Sequence, residues 1–318
     1  MITEAQRKIR ATGIGASEMA AVMGLSRYMT PMDVYARKVH PDKYHFEETE
    51  QQKIGNALES VVLDLFESRT GCKLARSPRT FFHQLTNAML MAHLDAYVEL
   101  GGGNEEIADR SVVEAKSSGM YAPNEWGEAG TDQVPTEYLI QVMHQMLVAY
   151  EGSLVVRVGY LAVLIGGSDF RIYKIPYDQE IGDLIIDHAN EFWKRVVLRI
   201  PPDPITIADA NLRYERSNGK TIEATDEIKG AVGAALTMQN AVNANTKHLE
   251  AHKLDIMKFM GDHDSLMIDG KPVATWKSAK WGKIFNEKLF AVEHPGMHHS
   301  YLIPTEGSRR FLLKKPKG

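Results

Sequence analysis

The sequence predicts an α/β domain in which helices flank one central mixed β-sheet, followed by a mainly helical C-terminal extension. Three observations carry this prediction: a long amphipathic helix, then a series of short apolar runs typical of strands, then helices alternating with strands. That order is typical of a sheet whose faces are covered by helices.

The first long helix is predicted over 51–70, where apolar residues recur at helical spacing. Gly71 follows it, and glycine commonly ends a helix. A shorter helix is predicted from Glu18 to Met23, with Ser17 as its N-cap.

The middle of the chain predicts a series of strands with two further helices. The predicted strands cover about 79–84, 88–94, 96–100, 111–116, 154–164 and 169–175, with a loop over 118–134. The two helices are predicted from about 136 to 150 and from about 178 to 199.

The proline-rich run at 201–204 predicts a boundary between residues 1–204 and a second module over 205–318. Residues 225–260 predict one long helix or a helical hairpin. Every seventh residue from Ile228 to Ile256 is apolar, but the companion positions are mixed. We therefore expect this seam to pack on its own domain rather than in a long dimeric coil.

Charge is distributed unevenly along the chain. Residues 205–318 carry 17 Lys and Arg against 13 Asp and Glu, whereas the preceding residues carry 20 against 28. The most basic stretch, Trp276 to Gly318, holds 9 basic and 3 acidic residues and also contains interleaved aromatic residues. Such a segment could follow phosphates and stack on bases. The same aromatic residues could instead form the core of a small domain, and the sequence leaves both interpretations open.

Composition excludes several classes of protein. The single cysteine, Cys72, excludes an internal disulfide, a four-cysteine iron–sulfur cluster and a cysteine zinc finger. The longest apolar stretch, 154–167, contains Arg157 and is too short to cross a membrane. We therefore expect a cytoplasmic chain without a membrane partner.

The main chemical signal is a pair of carboxylates with a lysine. Asp95 ends a predicted strand, and Glu114 follows 19 residues later, which is the length of a strand hairpin with a loop. Glu114 and Lys116 are two residues apart, so they project from the same face of their strand. Two carboxylates and a lysine beside apolar residues are costly to bury, and Mg²⁺ or Mn²⁺ would offset the repulsion. This set predicts phosphodiester hydrolysis.

Two further features support that prediction. Glu59 lies at the edge of the apolar stripe of the 51–70 helix, where it could point into the site. Tyr138, Gln141 and Gln145 form one polar stripe on an otherwise apolar helix, as expected of a helix that lines a cleft. Taken singly, each feature also fits a solvent-exposed surface: an edge-strand salt bridge, an exposed helix glutamate and a solvated helix face.

These residues together resemble the YqaJ-like viral recombinase family, a branch of the PD-(D/E)XK nucleases that includes lambda exonuclease. The resemblance covers about residues 1–200, with five motifs in the expected order. They are Arg10 with Gly13-Ile14-Gly15-Ala16-Ser17-Glu18, then Gly55-Asn56-Ala57-Leu58-Glu59, Leu94-Asp95, Glu114-Ala115-Lys116, and Tyr138 with Gln141. Leu94 stands where the family pattern has a proline.

The resemblance implies a role for each matching residue. Asp95 and Glu114 would ligate metal together with the Ala115 backbone carbonyl, and Glu59 would serve a second metal. Lys116 would activate the attacking water. The remaining implied roles are 5′-phosphate binding for Arg10 and Ser17, and the positioning of Lys116 or the water for Tyr138 and Gln141.

The resemblance also implies a fold, an activity and partners. The expected core is restriction-endonuclease-like, and the expected enzyme is an Mg²⁺-dependent, two-metal exonuclease from a phage or prophage. It would digest linear double-stranded DNA ends 5′→3′ and leave 3′ single strands for recombination by strand annealing. The family further implies a single-strand annealing partner and a ring-shaped homotrimer in a bacterial cytoplasm.

Two other functions fit the sequence. One is a structure-specific endonuclease on the same fold, which would also cut covalently closed DNA. The other is a non-hydrolytic DNA-binding or assembly module built on the basic, aromatic C-terminal stretch.

Overall fold

The computed structural model describes residues 9–44, 49–76, 80–83, 89–120, 125–151, 157–304, 307 and 309–314. Residues 79, 84, 88, 121–124 and 154–156, which belong to the predicted strands and loop, lie outside this set. The chain divides into two units, the first ending at Tyr214 and the second beginning at Glu215. Among the described residues, none belongs to a helix both long enough and apolar enough to span a bilayer.

The first unit is built on two β-sheets. Its strands are β1 (Ile14–Gly15), β2 (Leu74–Ala75), β3 (Thr80–His83), β4 (Leu90–His93), β5 (Ala96–Val98), β6 (Val112–Ser118), β7 (Val158–Ile165) and β8 (Asp169–Pro176). The central sheet has the order β2-β5-β6-β7-β8, and only its β6–β7 pair is parallel. A second sheet, β1-β4-β3, was not predicted; in it β1 runs parallel to β4.

Helices cover the central sheet on both faces. They are α1 (Ala16–Val22), α2 (Pro31–Val39), α3 (Glu50–Thr70), α4 (Thr136–Glu151), α5 (Gln179–Leu198) and α6 (Ile207–Arg213). Val62, Leu63 and Phe66 of α3 share one core with Val113 and Ala115 of β6. Residues of α1, α4 and α5 form the other core with Val112 and Leu161. The predicted α/β core, with a central mixed sheet flanked by helices, is confirmed.

Helix α4 connects the parallel strands β6 and β7, as such a pair requires. Gly159 of β7 pairs with Val112 and lies against Val142 of α4. A Cβ atom at residue 159 would lie 2.4 Å from Val142 Cγ1, so only glycine permits this close approach of helix and strand. That contact sets the distance between α4 and the paired strands β6 and β7.

The helix termini confirm some sequence predictions and correct others. Helix α3 ends at Gly71, which has φ 72°, as glycine at a helix end commonly does. Ser17 is not an N-cap: α1 begins at Ala16, and the N–H of the true N-cap, Gly15, donates to Glu18 Oε2 at 2.9 Å. Helix α2 was not predicted, although Thr30, Pro31 and Asp33 form a recognisable start signal.

The first unit extends ten residues beyond the proline run that ends at Pro204. Asp209 of α6 is 1% exposed and accepts a hydrogen bond from Thr30 Oγ1 at 2.7 Å. It also accepts from the backbone N–H groups of Ile205 and Thr206. Helix α6 is therefore fastened to the N-cap of α2.

The second unit is mainly helical. It contains α7 (Asp226–Met260), a hairpin of β9 (Ser265–Ile268) and β10 (Lys271–Thr275), and the short helices α8 (Glu287–Glu293) and α9 (Pro295–Ser300). The expectation that the apolar seam of α7 packs on its own domain is wrong. Ile228, Val242, Leu249 and Ile256 are all more than 40% exposed, because no other described element of the second unit covers them.

Candidate active site

Three of the predicted site residues, Asp95, Glu114 and Lys116, lie together on or beside β6. Asp95 lies in the turn between β4 and β5, and its Oδ2 accepts a hydrogen bond from the Ala115 N–H at 2.9 Å. Strand pairing produces this contact, since Ala96 of β5 is opposite Val113 of β6. The turn therefore delivers Asp95 to the strand that carries Glu114 and Lys116.

Glu114 is the centre of the hydrogen-bond network. It is 2% exposed, and its Oε1 accepts from Lys116 Nζ and from Gln141 Nε2. Its Oε2 accepts from Gln145 Nε2. Helix α4 thus supplies two amide donors, one turn apart, to a carboxylate on the neighbouring strand. An ionised carboxylate accepts about four hydrogen bonds, so these three donors satisfy most of its capacity.

Three carboxylates, those of Asp95, Glu114 and Glu59, repel one another in this cluster. Burial raises the pKa of Asp95 well above its usual value, and the charges of Glu114 and Glu59 raise it further. Burial also raises the pKa of Glu59, to which Glu114 adds, while His93 and Lys116 oppose the shift. Glu59 is therefore part of the same electrostatic site, although it lies on α3. A positive charge between these carboxylates would relieve their repulsion.

Lys116 supplies one such charge. Burial lowers its pKa, but Glu114 and Asp95 outweigh that effect and raise the pKa to about 12. Its side chain is 22% exposed, so part of it reaches solvent. Lys116 is consequently a partly exposed cation held against the carboxylates.

Lys116 lies against a pair of stacked aromatic rings, Tyr138 and Trp126. Its Nζ lies 5.4 Å from the ring centre of Tyr138, within cation–π range. The Tyr138 ring stacks on Trp126 with centroids 5.5 Å apart and an interplanar angle of 18°. Burial, with a smaller contribution from Tyr28, raises the pKa of Tyr138 to about 12, so its hydroxyl stays protonated.

The donor set suits a hard divalent cation. Asp95, Glu114, Glu59 and the Ala115 carbonyl offer only oxygen atoms, the ligands that Mg²⁺ and Mn²⁺ prefer. Among the side chains that the structure describes, however, no three His, Cys, Asp or Glu groups lie in metal-ligating geometry. Glu114 is instead held by Lys116 and the two glutamines. The chemistry of the donors and the repulsion between the carboxylates fit a metal, which stays a prediction.

The predicted phosphate-binding residues, Arg10 and Ser17, are both exposed. They are not among the partners of Glu114 described above. Lys38, which sequence reasoning missed, organises their surroundings. Its Nζ donates to the Arg10 carbonyl and to Glu18 Oε2, both at 2.6 Å.

Two other contributors were missed or only partly recognised. Gln145 was identified as part of a polar stripe, but its helical spacing from Gln141 also indicates that both could reach one acceptor. Trp126 lies in a predicted loop, and no sequence signal paired it with Tyr138. Lys38 could be suspected only once α2 was recognised.

Comparisons with known proteins agree with the motifs. Residues 7–151 match the family model described as the YqaJ-like viral recombinase domain. A protein of Bacillus subtilis (strain 168), called Uncharacterized protein YqaJ, is 28% identical over 314 residues, which cover 96% of this chain and 92% of that protein.

Several solved structures are similar to this chain at low identity. An alkaline exonuclease, LHK-Exo, from Laribacter hongkongensis is 17% identical with a TM-score of 0.47, over 62% of this chain and 94% of its own. A putative exonuclease from Eubacterium rectale is 13% identical with a TM-score of 0.49, over 70% of this chain and 96% of its own. The family model and the Bacillus subtilis protein agree with the motifs: residues 7–151 of this chain are similar to the YqaJ-like viral recombinase domain.

Proposed function

We propose that the protein is a metal-dependent exonuclease. It digests linear double-stranded DNA 5′→3′ and leaves 3′ single strands for recombination by strand annealing. The observation that carries this proposal is the meeting of Asp95, Glu114 and Lys116 beside β6. Glu59 belongs to the same cluster, because burial and then Glu114 raise its pKa and its own charge helps to raise the pKa of Asp95. The match of residues 7–151 to the model of the YqaJ-like viral recombinase domain supports a role in recombination.

The residues divide the chemistry between them. Asp95, Glu114, the Ala115 carbonyl and Glu59 would hold Mg²⁺, for which Mn²⁺ would substitute. When bound, the metal would polarise the phosphoryl group and lower the pKa of a bound water. Lys116 would orient the attacking water and stabilise the negative charge that develops on the phosphate.

Other residues would position these groups and the substrate. Gln141 holds Glu114 by a hydrogen bond, and the Tyr138 ring supports the Lys116 ammonium. Arg10 and Ser17 would bind the 5′-phosphate at the DNA end. An annealing partner and a ring-shaped trimer stay predictions from the family resemblance.

Digestion of 5′-phosphorylated linear duplex DNA with Mg²⁺ tests the proposal. We expect loss of the linear duplex, release of a 5′ label before a 3′ label, and no cutting of closed circular duplex. Lys116→Ala should abolish cutting while it retains DNA binding. Lys174→Ala, an exposed lysine on β8 of the same sheet, is the matched control and should cut normally.

Each alternative outcome has a defined meaning. Cutting of the closed circle would replace the exonuclease by an endonuclease. Release of the 3′ label first would reverse the polarity. Full activity of Lys116→Ala would rule out the catalytic role of Lys116, and activity that persists in EDTA would rule out the dependence on a metal.

A further inference from the structure

The second unit buries almost none of its apolar residues. Met260 is the only buried residue among those that the structure describes from Glu215 to Lys314. The aromatic side chains of this unit are mostly exposed, by 48% for Trp276, 72% for Phe285, 80% for Tyr301 and 86% for Phe311, while Trp281 is fully exposed. The aromatic residues therefore do not form the core of a small domain, which was one of the two interpretations that the sequence left open.

Three of these exposed aromatic residues lie between Trp276 and Phe285, a stretch here called the basic aromatic segment. The segment contains no helix or strand and no acidic residue. Lys277, Lys280 and Lys283 recur at every third position, between the exposed rings of Trp276, Trp281 and Phe285. Charges and aromatic rings are thus interleaved along a segment without helix or strand.

We propose that the basic aromatic segment binds single-stranded DNA. Its lysines would follow the phosphates, and its exposed rings would stack on successive bases. This inference deepens the proposed function, because digestion of one strand leaves the other single-stranded. The binding step itself needs neither a metal nor hydrolysis.

Single-stranded DNA fits the segment better than duplex DNA does. The faces of the bases are available for stacking only when the strand is unpaired, whereas a duplex offers this segment mainly its phosphates. Three exposed aromatic rings would have no partner on a duplex backbone.

A membrane surface fits the segment less well. Interfacial membrane binding usually uses an amphipathic helix with basic residues on one face and apolar residues on the other. The basic aromatic segment is not helical, and Lys288 is the only Lys or Arg in α8 and α9. Its charged and aromatic residues are interleaved instead of separated onto two faces.

The first test measures binding of the full-length protein to a fluorescein-labelled oligothymidylate in EDTA, where no metal is present for hydrolysis. Trp281→Ala should weaken binding about tenfold, since it removes one stacking ring. Phe259→Ala is the matched control, because Phe259 is 79% exposed on α7 but lies outside the segment. It should leave the affinity unchanged.

The second test uses salt dependence. Replacing Lys277, Lys280 and Lys283 by alanine together removes three phosphate contacts. The slope of log affinity against log salt should then fall by about 2. The control replaces Lys229, Lys247 and Lys258, three exposed lysines of α7, and should keep the wild-type slope.

The outcomes separate the possible ligands. Undetectable binding of the oligothymidylate at low salt, or equal effects of the segment variants and their controls, would overturn the proposal. Equally tight duplex binding that Trp281→Ala does not change would assign the segment to duplex phosphates. Segment-dependent binding to phosphatidylserine vesicles without oligothymidylate binding would assign it to membranes. Because these measurements involve no cleavage, they stand whether or not the protein proves to be a nuclease.

Discussion

Gln145 donates a hydrogen bond to Oε2 of Glu114 at a position that is closed to solvent, since the two residues are 1% and 2% exposed. Gln141 reaches the other oxygen of the same carboxylate from one turn earlier on α4. Helix α4 therefore fixes both the place and the rotation of Glu114. The following predictions concern the contacts that hold this arrangement and its surroundings.

Gln145→Met retains the approximate volume of the side chain but removes the amide donor. Glu114 Oε2 would then lose a hydrogen bond at a buried position, and we expect the free energy of unfolding to fall by about 1–3 kcal/mol. Urea denaturation at neutral pH measures this loss. Gln141→Met should cost less, because Oε1 keeps its bond to Lys116. A larger loss for Gln141→Met would contradict this account of Glu114.

Lys38→Met tests the ion pair between Lys38 and Glu18; Lys38 also donates to the Arg10 carbonyl. The side chain of Lys38 is 2% exposed and that of Glu18 is 15% exposed. Removing one partner leaves Glu18 without its counter-charge, and we expect a destabilisation of about 3 kcal/mol. Lys53→Met is the control, because its pair with Glu50 is 58% and 80% exposed and should contribute less than about 1 kcal/mol. Thermal unfolding of the two variants should differ clearly, and equal midpoints would refute the structural role of Lys38.

Gly159→Ala should push α4 away from the sheet. The added carbon would lie 2.4 Å from Val142 Cγ1 and 3.0 Å from Val112 Cγ2. Such overpacking costs about 1–3 kcal/mol, and it should also slow DNA cleavage because α4 carries both glutamines that hold Glu114. Gly55→Ala on α3 is the counterpart. Its new carbon would lie 3.6 Å from Ser117 Oγ, and the substitution should stabilise the helix by about 0.5–1 kcal/mol. A stabilised Gly159→Ala variant would mean that α4 and β7 are not in close contact.

His144 should make stability depend on acid pH. It is fully buried, Nε2 lies 3.2 Å from the Met91 carbonyl, and burial lowers its pKa from 6.5 to about 4. Between these two values the unfolded chain binds more protons than the folded one. Stability should therefore be fully present above pH 6.5 and be lost as the pH falls towards 4, by on the order of 3 kcal/mol.

The pH dependence can be assigned with two variants. His144→Gln keeps an amide donor for the Met91 carbonyl but cannot titrate, so its urea midpoint should fall less between pH 6.5 and 4. His248→Gln, an exposed histidine of α7, should behave like the wild type. Identical pH profiles for wild type and His144→Gln would show that other groups cause the acid sensitivity.

The sequence was informative wherever a periodic pattern decided the geometry. Residues two apart on a strand share a face, which placed Glu114 beside Lys116, and the hairpin length indicated that Asp95 could reach them. The long helices were also evident, since Glu50–Thr70 and Gln179–Leu198 carry sustained apolar periodicity.

Contacts between distant parts of the chain were not predictable in this way. The Lys38 ammonium meets Arg10 and Glu18, and nothing in local spacing indicates that α2 packs there. Strand β1 has only two residues, too few to show any alternation. For α7 the heptad pattern predicted a covered face, but a pattern identifies which residues need a partner and does not show whether one is present.

The contact between Thr30 and Asp209 limits how this protein could be recombined with its relatives. A chimaera joined at Pro204 would lose Asp209, the acceptor that Thr30 and two backbone N–H groups of the α6 N-terminus share. The N-cap of α2, Thr30, would then lose the carboxylate that accepts its hydrogen bond. Exchange of whole C-terminal modules, by natural gene shuffling or by fusion, should therefore succeed only when the junction follows Tyr214.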